Sequence, residues 1–139
     1  MRRKNFKSGP ATRAFYKSIR YWKTILGLTT WKINIEILDG DLPERHPTQD
    51  RVGNAVADCS CDWRYLHGTI RVNGPELEEQ GSEEAEEIAL HELIHCVVSQ
   101  AEIQNHDREE RLVSELTSNF LWLRNDRVRA NGNVRKKKK

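Results

Sequence analysis

Apolar residues recur at helical spacing across residues 11–27, ATRAFYKSIRYWKTILG, where Ala14/Phe15, Ile19, Trp22 and Ile25/Leu26 fall on one side. Gly27 supplies a stop signal, so the pattern predicts an N-terminal helix ending there. The period then changes. WKINIEIL (31–38) alternates Trp31, Ile33, Ile35 and Ile37 with Lys32, Asn34 and Glu36, the signature of a half-buried strand. DGDLPERHPTQD (39–50) has Asp-Gly and two prolines and reads as a loop. VGNAVADCSCDW (52–63) reads as a second strand, with Val52, Val56 and the cysteines. LHGTIRVNG (66–74) reads as a third, closed by the turn signal Asn-Gly-Pro.

The second half is helical in pattern. Ser82 is a candidate cap for a helix running to about Ala101, and Glu83, Glu84, Glu86 and Glu87 crowd its first turns, where the helix dipole favours negative charge. NHDREE (105–110) breaks the pattern and restarts it, with Asp107 as a candidate cap. REERLVSELTSNFLWLRND (108–126) then gives a last long helix with Leu112, Leu116, Phe120 and Leu123, joined by Val113, as its apolar stripe. Helix, three strands and two helices make an α+β arrangement. There is no internal repeat.

Charge changes the picture at the ends. Residues 1–23 hold eight Lys/Arg and no acid, residues 124–139 hold eight Lys/Arg and one Asp, and the remainder carries −13 within a net +2. The chain divides into a basic N-terminal arm (1–10), one domain (11–126) and a basic tail (127–139) expected to be disordered. Solubilising termini are the default reading of such ends. The alternative is contact with nucleic acid or another acidic partner. No apolar run reaches the roughly 18 residues of a membrane span, so no membrane partner is expected. The N-terminus lacks the apolar stretch of a secretory signal. With an odd, small number of cysteines (Cys59, Cys61, Cys96), that points to reduced thiols in an intracellular, cytoplasmic protein.

The chemistry is concentrated in IALHELIHCVV (88–98). His91 and His95 are four residues apart, hence on one face of a helix about one turn apart, the separation at which two imidazoles share one Zn²⁺. Glu92 is turned about 100° from His91 and flanks that position, where it can hold water and take its proton. The flanking Ile88, Ala89, Leu90, Leu93, Ile94, Cys96, Val97 and Val98 are apolar nearly all round, so this helix is buried. Burying two imidazoles and a carboxylate without partners costs several kcal/mol, roughly, and a cation relieves that cost. A catalytic zinc needs a third protein ligand. His106 is one candidate. In the last helix Glu115 lies at the edge of the apolar stripe, Glu110 points nearly the opposite way, and Glu109 faces the stripe but lies at the helix start. Cys59-x-Cys61 with Cys96 is a rival metal site, but that spacing is unusual and no fourth ligand is evident, so buried reduced thiols are expected.

HELIH (91–95), followed about twenty residues later by Glu115-Leu-Thr-Ser118-Asn119, resembles the paired motifs of the gluzincin metallopeptidases, including thermolysin-like enzymes and the small ImmA/IrrE-type peptidases of phages and bacteria. Small phage-encoded proteins with W-x-I-x-[V/I] ahead of the first motif are the most similar in layout. The resemblance implies a zincin-like fold: N-terminal helix, small three-stranded sheet, active-site helix and C-terminal ligand helix. It implies His91, His95 and Glu115 as zinc ligands, Glu92 as general base, and Asn119 as a hydrogen-bond partner of a ligand histidine. The implied activity is hydrolysis of peptide bonds in a peptide or protein substrate, in a host cytoplasm if the chain is phage-encoded. Tyr65, His67 and His106 are the available donors for the developing oxyanion. The strand GTIRV (68–72) is expected to be an edge strand that pairs with substrate backbone. The alternative function is nucleic-acid binding through the basic ends around a structural zinc site.

Overall fold

The computed structural model of the chain describes residues 6–43 and 55–137, the last five of these as backbone only. The elements are α1 (Pro10–Ile25), β1 (Lys32–Leu38), β2 (Ala57–Asp62), β3 (His67–Asn73), α2 (Gly74–Gln80), α3 (Ser82–Ser99) and α4 (His106–Lys137). The α+β class expected from the sequence is present, as four helices and a three-stranded mixed sheet. The first part of the 52–63 strand expectation, the end of the 39–50 loop and the first half of the basic arm lie outside the described residues.

Strand order is β1-β3-β2, with β3 parallel to β1 and antiparallel to β2. This corrects the expectation for GTIRV. Its strand is bonded on both sides and cannot accept a third, so the sheet's edges are β1 and β2. The pattern of β3 explains its place: Gly68, Ile70 and Val72 are buried on one face, while Thr69 and Arg71 form the other. On that second face Arg71 Nε donates to Asp58 Oδ1 at 2.9 Å, and Arg71 Nη2 makes a further close bond to Asp58 Oδ2. The two are direct cross-strand partners, so this forked pair fixes the register of β2. Cys59 and Cys61, one position to either side of Ser60, are thereby turned to the helix-covered face. A slip of one residue would turn them to solvent.

Helix α3 crosses the middle of the molecule, packed on α1, on α4 and on β2. Its Ala85, Ala89, Leu90, Leu93, Ile94 and Cys96 join Phe15, Ile19 and Trp22 of α1 and Ile70 and Val72 of β3 in one core. Small residues at 85 and 89 let α1 come close. The stop predicted at Gly27 is a Schellman closure: Gly27 has φ +71°, its N–H bonds Thr24 O, and Leu28 N–H bonds Lys23 O.

Four local signals were read differently by the fold. Asn-Gly-Pro starts α2 rather than a plain turn. The Asn73 side chain accepts from Glu76 N–H at 3.2 Å, and Pro75 occupies the first turn, where its missing donor is harmless. At the far end, α4 runs as helix through Lys137, where composition had suggested a disordered tail. Its Arg and Lys residues are good helix formers and suit the negative end of the dipole. Ser82 is the first residue of α3 rather than its cap. Asn105, not Asp107, caps α4, its side chain accepting from Arg108 N–H at 3.0 Å.

Helix α2 contributes one further device. α1 has Gly9 at its cap position and no capping side chain of its own. Glu78 of α2 takes that role from a distance: its carboxylate accepts from Gly9 N–H (2.9 Å), Ala11 N–H (3.3 Å), Thr12 N–H (2.8 Å) and the Thr12 hydroxyl (2.8 Å). Desolvation pushes the Glu78 pKa up, but the bonds from Thr12, Gly9 and Ala11 outweigh it and hold it below the ordinary 4.5. A depressed carboxylate stabilises the fold fully above its unfolded value and loses that contribution as pH falls through the folded value. Glu78→Gln should therefore cost about 1–2 kcal/mol at pH 7. In urea unfolding the gap between the two proteins should close below pH 4.5; an equal gap at pH 7 and pH 3 would refute a charge-based cap.

Candidate metal centre

His91 and His95 lie on one face of α3, as their spacing predicts, with ring centroids 5.1 Å apart. Their side chains are 24% and 14% exposed, so the face is sheltered but open to solvent on one side. The carboxylate that meets them is Glu110. Its Oε2 lies 3.3 Å from His91 Nε2 and its Oε1 lies 3.0 Å from His95 Nε2. Donors sharing one cation at 2.0–2.1 Å in tetrahedral geometry are about 3.3 Å apart. His91, His95 and Glu110 thus have the spacing to hold a metal ion.

The other nitrogen of His95 is also taken. Nδ1 lies 3.1 Å from Glu109 Oε1. A carboxylate on the far side of an imidazole fixes the tautomer and turns the remaining lone pair towards the site. With a cation bound, Nδ1–H donating to Glu109 would leave the lone pair on Nε2, the atom facing Glu110. Burial lowers the His91 pKa from 6.5, the nearby His95 lowers it further, and Glu110 only partly offsets this. His91 is therefore neutral at pH 7 and able to ligate.

Glu115, expected as the third ligand, is elsewhere. It is exposed and sits 3.4 Å from Arg111 Nε, one turn back on its own helix. Asn119 is exposed on the same side. The reason is the rotation of α4. Its packed face runs Glu110, Val113, Thr117, Phe120 and Arg124, at intervals of three and four. Val113 and Thr117 are fully buried, and the Thr117 hydroxyl donates to Val113 O at 2.7 Å, which makes it acceptable in the core. Phe120 packs edge-on against Trp22, and Arg124 pairs with Glu86 near the start of α3. Leu112 and Leu123, counted in the apolar stripe from sequence, are exposed. Because α3 and α4 run antiparallel, the Arg124–Glu86 pair at one end brings Glu109 and Glu110 onto His95 and His91 at the other.

Glu92, the residue after His91 on α3, is 6% exposed. It lies near Cys96, one turn along. The contact with Cys59 pulls the Cys96 thiol down, but the bond to Cys61, burial and the nearby charges of Cys61 and Glu92 together hold it well above its ordinary range. His106 opens α4 and is exposed, outside the donor group. Tyr65 is 80% exposed in the β2–β3 turn, and His67 Nε2 lies 3.1 Å from Asn34 Nδ2 on the sheet. Among the described residues no helix is long and apolar enough to cross a membrane.

No protein-family model, curated protein or solved structure matches this chain. The centre is therefore read from its own geometry.

That geometry separates the carboxylates of α4 by role. Glu110→Ala should weaken zinc binding by at least tenfold, and Glu109→Gln by about 10–100-fold. Glu115→Ala should change it less than twofold. Competition titration with a chromogenic chelator measures all three. Loss of affinity in Glu115→Ala with none in Glu110→Ala would reverse the assignment.

Proposed function

We propose that this chain is a zinc-dependent metallopeptidase. The observation that carries the reading is the convergence of His91, His95 and Glu110, with Glu92 at the next helix position. Two imidazoles and one carboxylate make a borderline donor set that suits zinc. Three protein ligands leave a fourth position for water or substrate. Bound there, zinc supplies Lewis-acid polarisation of a carbonyl and acidifies water from its bulk value towards about 7.

The chain's own residues do the rest. Glu110 joins α4 to α3 across the site and offsets the cation's charge. Glu109 holds the His95 ring in its ligating tautomer. Glu92, mostly buried and therefore of restricted motion, takes a proton from the attacking water and returns it to the leaving amine. The HELIH segment supports this assignment by its resemblance to gluzincin peptidases. The second half of that resemblance gains no support from the placement of α4: in this reading Glu110 takes the ligand role, and Glu115 and Asn119 take no part.

Glu92→Gln should keep the fold and one zinc at this centre but lower cleavage of a fluorogenic peptide library by about 10²–10⁴-fold. Chelation should abolish cleavage, and added zinc should restore it. Zinc-loaded wild type that cleaves nothing in the library, or Glu92→Gln with undiminished turnover, would contradict the reading.

One observation favours a second role. Helix α4 continues through Lys137, and residues 124–139 hold eight Lys/Arg. A basic helix of this kind binds polyanions through counterion release. Deleting residues 131–139 should flatten the salt dependence of binding to duplex DNA, measured by fluorescence anisotropy. Full-length protein with no salt-dependent binding would exclude it.

A further inference from the structure

A second group of donors lies on the opposite flank of α3 and is made only of sulfur. We infer that Cys59, Cys61 and Cys96 form a separate thiolate site for one thiophilic cation of the zinc class, which staples β2 to α3. Three features converge on it. Cys59 and Cys61 are two apart on β2 and face the same way, as strand geometry requires. Cys96 comes down onto them from α3, which is the helix that carries His91 and His95. The three sulfurs are 2.8, 3.2 and 3.6 Å apart, so all point at one place.

The space for this meeting is reserved by a glycine. Gly68 pairs with Cys61 across the sheet, and a β carbon on it would lie 3.0 Å from Cys96 Sγ. A β carbon at 68 would also lie 3.2 Å from Ile33 Cδ1, so any other residue there would crowd both side chains. The register lock between Arg71 and Asp58 holds the two strand sulfurs on this face. The sulfurs come from two elements far apart in the chain, so a shared cation closes a long loop and ties the sheet to the back of the histidine helix.

Sulfurs around a cation at about 2.3 Å lie about 3.8 Å apart, so the triangle opens by roughly 1 Å at most. Rotation of half-buried Cys59 and Cys61 supplies that. A sulfur-only set excludes Mg²⁺ and Ca²⁺, which need oxygen donors, and selects a softer ion than the histidine centre does. The rival is a disulfide. It would join one strand cysteine to Cys96 and leave the third sulfur with no part in the arrangement. Three converging donors fit a shared ion better than a pair.

Cadmium is the probe, because thiolate-to-cadmium charge transfer absorbs in the ultraviolet and imidazole ligation does not produce that band. Wild type should show the band and bind two equivalents of metal per chain. Cys59→Ser/Cys61→Ser should lose the band and one equivalent. His91→Ala/His95→Ala should keep the band and lose the other. A measurement on wild type alone guards against misfolded variants: zinc should protect all three thiols from alkylation, and a chelator should expose them. No band at saturating cadmium, a band that survives in the double cysteine variant, or an intact mass lower by two hydrogens would overturn the assignment. None of these outcomes depends on peptidase activity, so the histidine centre stands or falls separately.

Discussion

Everything in the candidate centre depends on one carboxylate, Glu110, lying between two imidazoles of another helix. Each oxygen of Glu110 faces one ring nitrogen, at 3.3 and 3.0 Å. The contact joins the start of α4 to the last turns of α3, and it is possible only because α4 is rotated to place Val113 and Thr117 in the core. At the other end of the same interface Arg124 reaches Glu86 and lies 5.7 Å over the Trp22 ring. The two ends fix the antiparallel alignment, and alignment fixes which acid meets the histidines. A slide of one turn that brings Val113 or Ser114 to the imidazoles would leave them facing no carboxylate.

The half of the site on α3 was legible because it is local. A spacing of four residues on a helix determines that His91 and His95 share a face, whatever surrounds them. The half on α4 was not, because it depends on which side of that helix is buried. Hydrophobicity favours a stripe of Leu112, Val113, Leu116, Phe120 and Leu123, and this places Glu115 at the rim. The fold keeps Val113, Leu116 and Phe120 against the core, adds a threonine that satisfies its own hydroxyl within the helix, and leaves Leu112, Trp122 and Leu123 exposed. Thr117 is the residue that misleads, since its polarity hides a core position. On a helical wheel Glu110 points nearly opposite to Glu115 and Glu109 lies at the helix start, so the sequence ranks Glu115 above both.

The sheet shows the same division. Alternation gave three strands, and the burial of Gly68, Ile70 and Val72 follows from it. Strand order does not follow, because β1 pairs with β3 across an intervening strand. That crossover makes β3 central and brings Cys59 and Cys61 onto α3 rather than onto solvent. α3 thus has a nitrogen-and-oxygen donor set on one flank and a sulfur set on the other, with Glu92 between them, its charge felt at Cys96. Donor softness keeps the two apart. Whatever steadies the sulfur flank also steadies His95, one residue from Cys96.

The most direct test is anomalous diffraction at the zinc edge from crystals grown with zinc. A peak within about 2.0–2.2 Å of His91 Nε2, His95 Nε2 and a Glu110 oxygen is the predicted result. A peak coordinated by Glu115, or no peak between α3 and α4 in protein shown to contain zinc, would contradict the account.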